Sequence, residues 1–211
     1  MDLGLKGKVA LIGGASKGLG KACALALGQE GVAVAICARE QVALEATAQQ
    51  LEKMDVKVLA LAADMVSKED NERVVEVTLK KFGRLDILVN NSGGPAPGTF
   101  YDFDDSDWER AFHSVLMYVI RLNRLVIPHM KKNKWGRIIN ITSLSVKEPA
   151  ETLILSNVFR SGVVSMAKTM SQELIKHNIT INNVCPGAFK TDRAIELMTK
   201  AAKANKTTVD E

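Results

Sequence analysis

Short runs of apolar residues alternate along the chain with longer segments in which apolar residues recur every three or four positions. The short runs predict six β-strands, at residues 8–13, 32–38, 56–63, 86–91, 137–142 and 179–185. The longer segments predict helices, one ending at residue 30 and the others at residues 40–54, 67–82, 105–132, 153–177 and 192–204. Ser67 is the expected N-cap of the third helix, and Gly31 and Gly83 stand where helices should end.

Strands that alternate with helices are typical of a parallel sheet whose strands are joined by right-handed crossovers. The strands are nearly continuous apolar runs, as expected where helices cover both faces of the sheet. No linker, repeat or low-complexity segment divides residues 1–211. The pattern therefore predicts one doubly wound α/β domain.

The composition argues against nucleic-acid-binding, membrane-spanning and secreted proteins, but it does not indicate which reaction an enzyme of this composition would catalyse. The 211 residues suffice for a full hydrophobic core, and 46% hydrophobic with 25% charged residues is ordinary for a soluble globular protein. The formal net charge is +4, but the lysines and arginines are scattered, which argues against a nucleic-acid partner. No apolar run is long enough to cross a bilayer, and the start of the chain lacks a secretory signal pattern.

The three cysteines indicate a reducing compartment. Cys23, Cys37 and Cys185 are far apart in apolar surroundings and form neither a CxxC pair nor a cluster with histidine. Buried free thiols are therefore expected rather than disulfides or a metal site. Together with the absence of a signal pattern, this predicts a cytoplasmic protein with no metal and no membrane partner.

The turn after the first strand carries glycines at positions 14, 18 and 20. Gly14 allows a tight turn off the strand, Gly18 lets the backbone approach a pyrophosphate, and Gly20 lets the following helix pack close to the sheet. The phosphates would lie at the helix N-terminus, where backbone N–H groups lack partners. Because the motif lies between a strand and a helix, it predicts a Rossmann-type dinucleotide site rather than a plain glycine turn.

The end of the second strand distinguishes two dinucleotides. An NAD site has an acidic residue there for the ribose 2′-OH, whereas this chain reads Cys37-Ala38-Arg39. Arg39 and Lys17 offer two positive charges to a 2′-phosphate. The alternative is that both are solvated surface cations. NADP is the expected cofactor, with NAD as the second choice.

These motifs resemble those of the short-chain dehydrogenase/reductase family, and most closely its 3-oxoacyl-acyl-carrier-protein reductase-like branch, over nearly the whole chain. Residues 9–20 (VALIGGASKGLG) resemble the T-G-xxx-G-x-G cofactor signature, with Gly13 where threonine is usual. Asn90-Asn91-Ser92-Gly93 resembles the N-N-A-G motif, with Ser92 in place of alanine. Asp64, after the third strand, matches the acid that contacts adenine.

The loop after the sixth strand matches the family segment that contacts the nicotinamide end of the cofactor. Carried over residue by residue, the resemblance implies cofactor contacts at Gly14, Ser16, Lys17, Gly18, Leu19, Gly20, Arg39, Asp64, Met65, Asn91, Gly93, Arg160, Pro186, Gly187 and Thr191.

The family's catalytic tetrad of Asn, Ser, Tyr and Lys is altered here. Ser143 matches the serine, and the tyrosine and lysine positions, four apart on one helix face, hold Ser156 and Arg160. The asparagine position, seven residues after Trp108, is Val115. The resemblance thus implies Ser143, Ser156 and Arg160 as the catalytic residues, with three of the four positions changed.

The changes weaken proton transfer. A serine hydroxyl is a much weaker acid than a phenol and has a shorter reach, and arginine keeps a positive charge that could hold the nicotinamide ribose but does not relay protons. General acid catalysis is typically worth about 10²–10⁴-fold. Tyr118, His113 and Lys147 are other candidate proton donors, although Tyr118 is expected to be a packing residue and Lys147 to be solvated. Ser143 with a bound water is an equal alternative.

The cofactor motifs and the altered tetrad are consistent with two functions. The first is an NADP-dependent oxidoreductase that acts on a small carbonyl or alcohol through an altered site. The second is a catalytically inactive NADP-binding sensor or partner subunit. A third, a structural remnant that binds nothing well, is disfavoured by the glycine turn and Arg39.

The resemblance also implies a homo-oligomer, either a dimer or a tetramer. Family members usually continue through another helix and a seventh strand, so a sheet without that last strand is expected from a sequence ending at Glu211. A C-terminally truncated gene product explains this as well as a natural end does.

Overall fold

The computed structural model describes residues 1–187 together with Phe189, Thr191, Ile195 and Thr199. The helix predicted at residues 192–204 lies outside the described residues except for Ile195 and Thr199.

The described part of the chain contains a six-stranded parallel sheet. Its strands are β1 (Val9–Gly13), β2 (Ala33–Ala38), β3 (Val58–Ala62), β4 (Ile87–Asn90), β5 (Gly136–Ile141) and β6 (Ile179–Val184). Their order across the sheet is β3-β2-β1-β4-β5-β6, and every neighbouring pair is parallel. The six predicted strands are confirmed, with ends that differ by one or two residues.

Helices cover both faces of this sheet. They are α1 (Gly18–Gln29), α2 (Gln41–Glu52), α3 (Lys68–Phe82), α4 (Asp105–Ala111), α5 (Tyr118–Asn133) and α6 (Ile154–Leu174). The predicted ends of α3 are confirmed, because the Ser67 hydroxyl accepts a hydrogen bond from the Asp70 N–H and Gly83 ends the helix at φ 75°. Gly31, just past α1, likewise has φ 76°.

The prediction of one uninterrupted α-helix at residues 105–132 was wrong in its middle. A π-helical segment at Phe112–Met117 separates α4 from α5. A π-turn holds an extra residue within an otherwise helical run. A pattern of apolar spacing does not register one wider turn, so the sequence indicated a single helix. The π-segment buries Val115, which is 2% exposed.

Alternate side chains of the strands enter two separate cores. On one face, Leu11 and Leu88 pack with side chains of α3, α5 and α6. On the other, Ile12 and Ile36 pack with α1 and α2. This is the doubly wound, Rossmann-like architecture that the sequence predicted. The strand order reverses between β1 and β4, and in such sheets ligands bind at the carboxyl ends of the strands beside that point.

The expectation of buried free thiols is confirmed only in part. All three cysteines are free, as expected, but only Cys37 is fully buried, and Cys23 and Cys185 are half-buried. Within the described residues, no three metal-binding side chains are grouped as a metal site would need. No helix in that part of the chain combines the length and apolar character needed to cross a membrane.

Candidate cofactor and active site

The glycine turn lies at the carboxyl end of β1, beside the point where the strand order reverses. Gly14 has φ 56°, in the left-handed region that favours glycine, and the turn leads directly into α1. At Gly20 the helix approaches the turn so closely that a Cβ atom would lie 2.3 Å from the Gly14 carbonyl oxygen. The roles that the sequence assigned to these two glycines, a tight turn and close helix packing, are therefore confirmed.

Asn91 connects this turn to the neighbouring strand. Its Nδ2 donates to the carbonyl oxygens of Gly13, at 3.1 Å, and Gly14, at 3.3 Å. The side chain thus fixes the glycine turn against the end of β4. The sequence predicted Asn91 as a cofactor contact, and the structure adds this role in positioning the turn.

A hydrogen bond from α2 also holds the glycine turn in place, and the sequence did not predict it. Thr47 is fully buried, and its hydroxyl lies within hydrogen-bond distance of two carbonyl oxygens, Ser16 in the glycine turn at 3.1 Å and Ala43 at 3.2 Å. The available signal was weak: Thr47 is a polar residue on the buried face of a helix, and such a residue must find a hydrogen-bond partner.

The two cations proposed for a 2′-phosphate are exposed on the same edge of the sheet. Lys17 precedes α1, and Arg39 follows β2 directly. Both are accessible to a ligand, and exposure is also what a solvated surface cation would show. No carboxylate stands at the end of β2, which ends at Ala38.

The two residues after β3 that were predicted to contact the cofactor differ in exposure. Asp64 is exposed, and its Oδ1 accepts the Val66 N–H at 3.0 Å. The Met65 side chain is buried, with its sulfur 3.9 Å from that of Cys37. Only the backbone of Met65 is therefore placed to meet a cofactor. Burial also raises the pKa of Cys37 to about 12, so this thiol stays protonated near neutral pH.

The catalytic serine position lies just after β5. Ser143 is partly exposed and caps a short 3₁₀ turn at Leu144–Val146, where its Oγ accepts the Ser145 N–H at 3.1 Å. The Leu144 N–H donates to the Pro186 carbonyl oxygen at 3.0 Å, so the loops after β5 and β6 are joined here.

Ser156 and Arg160 lie one turn apart on α6, as their spacing predicted. Arg160 Nε donates to Ser156 Oγ at 3.1 Å. Its Nη1 donates to the carbonyl oxygens of Ile141, at 2.8 Å, and Thr142, at 3.0 Å. The guanidinium group therefore ties α6 to the end of β5, and it holds a positive charge beside the Ser156 hydroxyl.

Tyr118 was expected to be a packing residue, and at 3% exposed it is one. Its hydroxyl nevertheless faces polar groups of the site. Burial raises the pKa of Tyr118, while a hydrogen bond with Ser92 and the positive charge of Arg160 oppose that rise. Of the other candidate proton donors, His113 makes an edge-to-face contact with the Phe112 ring and Lys147 is exposed.

Loops from three strands meet at this edge. The Gly98 N–H, after β4, donates to the Thr152 carbonyl oxygen at 2.7 Å, which joins the loops after β4 and β5. The Thr191 methyl lies 3.6 Å from where a Cβ on Gly18 would stand, so the segment after β6 reaches the glycine turn. Gly93 and Gly187 are exposed in these loops. This edge therefore brings together the glycine turn and the partly exposed Ser143, while Ser156 is buried beneath it with its hydroxyl bonded by Arg160.

Comparisons with known proteins identify the family. The short chain dehydrogenase model matches residues 8–202. The chain is 34% identical over 204 residues to the uncharacterized oxidoreductase YvrD of Bacillus subtilis, covering 97% of this chain and 77% of the relative. It is 32% identical over 199 residues to the 3-oxoacyl-[acyl-carrier-protein] reductase FabG of Thermotoga maritima, covering 93% and 80% of the two chains.

Solved structures agree with this assignment. L-sorbose reductase from Gluconobacter frateurii, crystallised with NADPH and L-sorbose, superposes with a TM-score of 0.94 at 34% identity, covering 100% of this chain and 80% of the reductase. The sheet order, the glycine turn and these matches lead to one conclusion. The chain belongs to the short-chain dehydrogenase family.

Proposed function

We propose that this protein is an NADP-dependent oxidoreductase acting on a small carbonyl or alcohol substrate through an altered active site. The observation that carries the proposal is the glycine turn, which Asn91 and Thr47 fix at the reversal point of the sheet. Its exposed backbone beside the N-terminus of α1 fits a pyrophosphate. Lys17 and Arg39 fit a 2′-phosphate, and NADPH is the ligand of the similar L-sorbose reductase.

In this proposal the nicotinamide supplies or accepts the hydride when bound, and residues of the chain orient the substrate oxygen. The Ser143 and Ser156 hydroxyls hydrogen-bond that oxygen. Arg160 places a fixed positive charge beside Ser156, which favours negative charge developing there. Pro186, Gly187 and Thr191 border the nicotinamide end. Because serine donates a proton poorly, turnover is expected to be slow.

One observation favours a second function, a catalytically inactive NADP-binding sensor or partner subunit. Arg160 Nε donates to Ser156 Oγ, and Arg160 Nη1 donates to the carbonyl oxygens of Ile141 and Thr142 at the end of β5. These bonds belong to the folded chain itself, so Arg160 has a structural role whether or not a substrate is converted.

The binding part of the proposal is tested by titrating the protein with NADPH and NADH. We expect NADPH to bind more tightly. The double variant Lys17→Gln plus Arg39→Gln should weaken NADPH binding about tenfold or more, because charge-assisted bonds to the phosphate are lost, and should leave NADH binding nearly unchanged. Lys57→Gln plus Lys81→Gln, two exposed lysines at the opposite, amino-terminal edge of the sheet, is the charge-matched control. Absence of binding by either dinucleotide would rule out both functions.

The catalytic part is tested by following NADPH oxidation with a panel of carbonyl substrates. Slow turnover by the native chain that falls further in Ser143→Ala and Ser156→Ala supports the oxidoreductase. Tight NADPH binding without turnover, together with turnover gained by Ser156→Tyr plus Arg160→Lys, would instead establish the inactive sensor. Arg160→Lys alone is the control for lost structure, since it should cost about 1 kcal/mol of stability through the lost hydrogen bonds.

We also propose that the protein is a cytoplasmic homo-oligomer, a dimer or tetramer. Sedimentation velocity at several protein concentrations tests this, and a monomer throughout would contradict it.

A further inference from the structure

A small cavity lined in part by Arg160 lies between the carboxyl ends of β4 and β5 and the helices that cover them. Its polar lining comes from Asn90, Asn140, Thr142, Tyr118 and Arg160. It leaves about 10 Å³ for the centre of a water molecule, which is the space that one water needs. The size and the polar wall make it a candidate site for a single small polar molecule.

Asn90 provides an acceptor at this cavity. The residue is 1% exposed, and its Nδ2 donates to the Oδ1 atoms of Asn123, at 3.2 Å, and Asn140, at 2.8 Å. Its own Oδ1 has no hydrogen-bond partner among the described residues. Because a buried unpaired acceptor is costly, a donor at this position would stabilise the folded chain.

Tyr118 also lines this cavity, and its buried hydroxyl lies close enough to Arg160 for that charge to act on it. It stands three residues after Val115, on the same side of the helical segment, and both side chains line the cavity. The side chain of Val115, where the family pattern has asparagine, has no polar group. The polar side chains that line the cavity therefore belong to Asn90, Asn140, Thr142, Tyr118 and Arg160.

We propose that this cavity binds one water molecule, which donates to Asn90 Oδ1 and hydrogen-bonds the Tyr118 hydroxyl. Buried waters typically make about three hydrogen bonds, and this lining offers at least two partners and the positive charge of Arg160 nearby. The water would extend a chain of buried amides in which Asn140 Nδ2 donates to Asn183 Oδ1 at 3.0 Å. The inference goes beyond the proposed function, since the site requires neither cofactor nor turnover.

Nuclear Overhauser contacts between water and valine methyl groups test the proposal directly. With labelled valine methyls, we expect long-lived water contacts to Val115, Val119 and Val163, which line the cavity. Val75 is the control, because it is about as buried, packs in the core that contains Val119 and Val163, and does not line the cavity. Cross-peaks at the three lining valines and not at Val75 support the site, and their absence overturns it.

The variant Val115→Ile provides a second measurement with opposite expectations for a wet and a dry cavity. The added methylene should displace the water and leave Asn90 Oδ1 unpaired, so the unfolding equilibrium constant should rise about tenfold relative to the matched Val75→Ile. An apolar, dry cavity would be filled, and Val115→Ile would then be at least as stable as Val75→Ile. A high-resolution crystal structure should show density within hydrogen-bond distance of both Asn90 Oδ1 and Tyr118 Oη, and ordered surroundings without it would contradict the proposal.

Discussion

The two halves of the sheet's carboxyl edge follow the family pattern to different degrees. Around β1 and β2, the glycine turn has the geometry that its motif predicts, down to the contact between Gly20 and Gly14. Around β5 and α6, the backbone also provides a capped turn and a helix face that carries the expected pair of positions. The side chains there depart from the family pattern at Val115, Ser156 and Arg160.

The difference arises because backbone groups bind the cofactor, whereas side chains carry out proton transfer. A dinucleotide phosphate is bound mainly by backbone N–H groups, so the residues that matter are those that fix the backbone. Proton transfer depends on side chains, and a serine or arginine can replace a tyrosine or lysine without changing the path of the chain. The fold therefore constrains the cofactor half strongly and the catalytic half weakly.

Gly20→Ala should have the largest effect and tests the cofactor half. The new Cβ would meet the Gly14 carbonyl oxygen at 2.3 Å and Asn91 Nδ2 at 2.7 Å, so α1 must move away from the turn. We expect a loss of about 3 kcal/mol in the free energy of unfolding and loss of NADPH binding, measured by denaturant titration and fluorescence.

The matched control for stability is Gly187→Ala, on the same edge, where a Cβ would meet nothing within 4 Å. Its unfolding free energy should stay within about 0.5 kcal/mol of the native value. If Gly20→Ala is equally harmless, the backbone of the cofactor half is less constrained than the contact distances imply.

Alkaline titration compares one buried acid from each half. Burial raises the pKa of Cys37 from 9.0 to about 12, and it raises that of Tyr118 above 10.0. Below about pH 8 both groups are largely protonated in the folded and unfolded chains. Above it, the unfolded chain loses a proton that the folded chain keeps, so stability should fall by about 1.4 kcal/mol per pH unit for each such group.

As the pH rises, Cys37 should begin to lower the stability first, and Tyr118 should do so only above about pH 10. Urea denaturation from about pH 8 to about pH 10.5 should therefore show a loss of about 2 kcal/mol from Cys37, which Cys37→Ala removes. Cys23, whose pKa partial burial also raises, keeps some slope in that variant. Tyr118→Phe should reduce the dependence of stability on pH only at the upper end of this range. A slope unaffected by Cys37→Ala would mean that this thiol titrates normally in the folded chain.

The fold was largely predictable because its signals are local and repeated. Apolar runs located all six strands, and Ser67 and Gly83 located the ends of α3. The π-segment at Phe112–Met117 was not predictable, since one wider turn leaves no mark in the apolar spacing. The order of the strands likewise depends on tertiary pairing rather than on local sequence.

The candidate site could be predicted only at positions that belong to a recognisable sequence motif. The glycine turn and the Ser156–Arg160 pair follow from spacing. The hydrogen bonds from Arg160 to β5 and from Thr47 to the glycine turn join residues far apart in sequence. Such bonds depend on how α2 and α6 pack on the sheet, and no sequence pattern specifies them.

Thr47→Val should have the smallest effect and separates positioning of the glycine turn from general stability. The substitution keeps the shape of the side chain but removes its bond to the Ser16 carbonyl oxygen. We expect a loss of about 1 kcal/mol in the free energy of unfolding. Because the turn becomes less ordered before NADPH binds, the dissociation constant should also rise about threefold to tenfold.

Thr78→Val is the matched control for this prediction. Thr78 is equally buried, on α3, and bonds only the Val74 carbonyl oxygen of its own helix among the described contacts. It should lose similar stability, since both variants remove one buried hydroxyl bond, but should bind NADPH like the native chain. Isothermal titration of both variants distinguishes the two effects. Equal NADPH dissociation constants for them would mean that the Thr47 hydroxyl does not position the glycine turn, and that Asn91 and the glycines suffice to hold it.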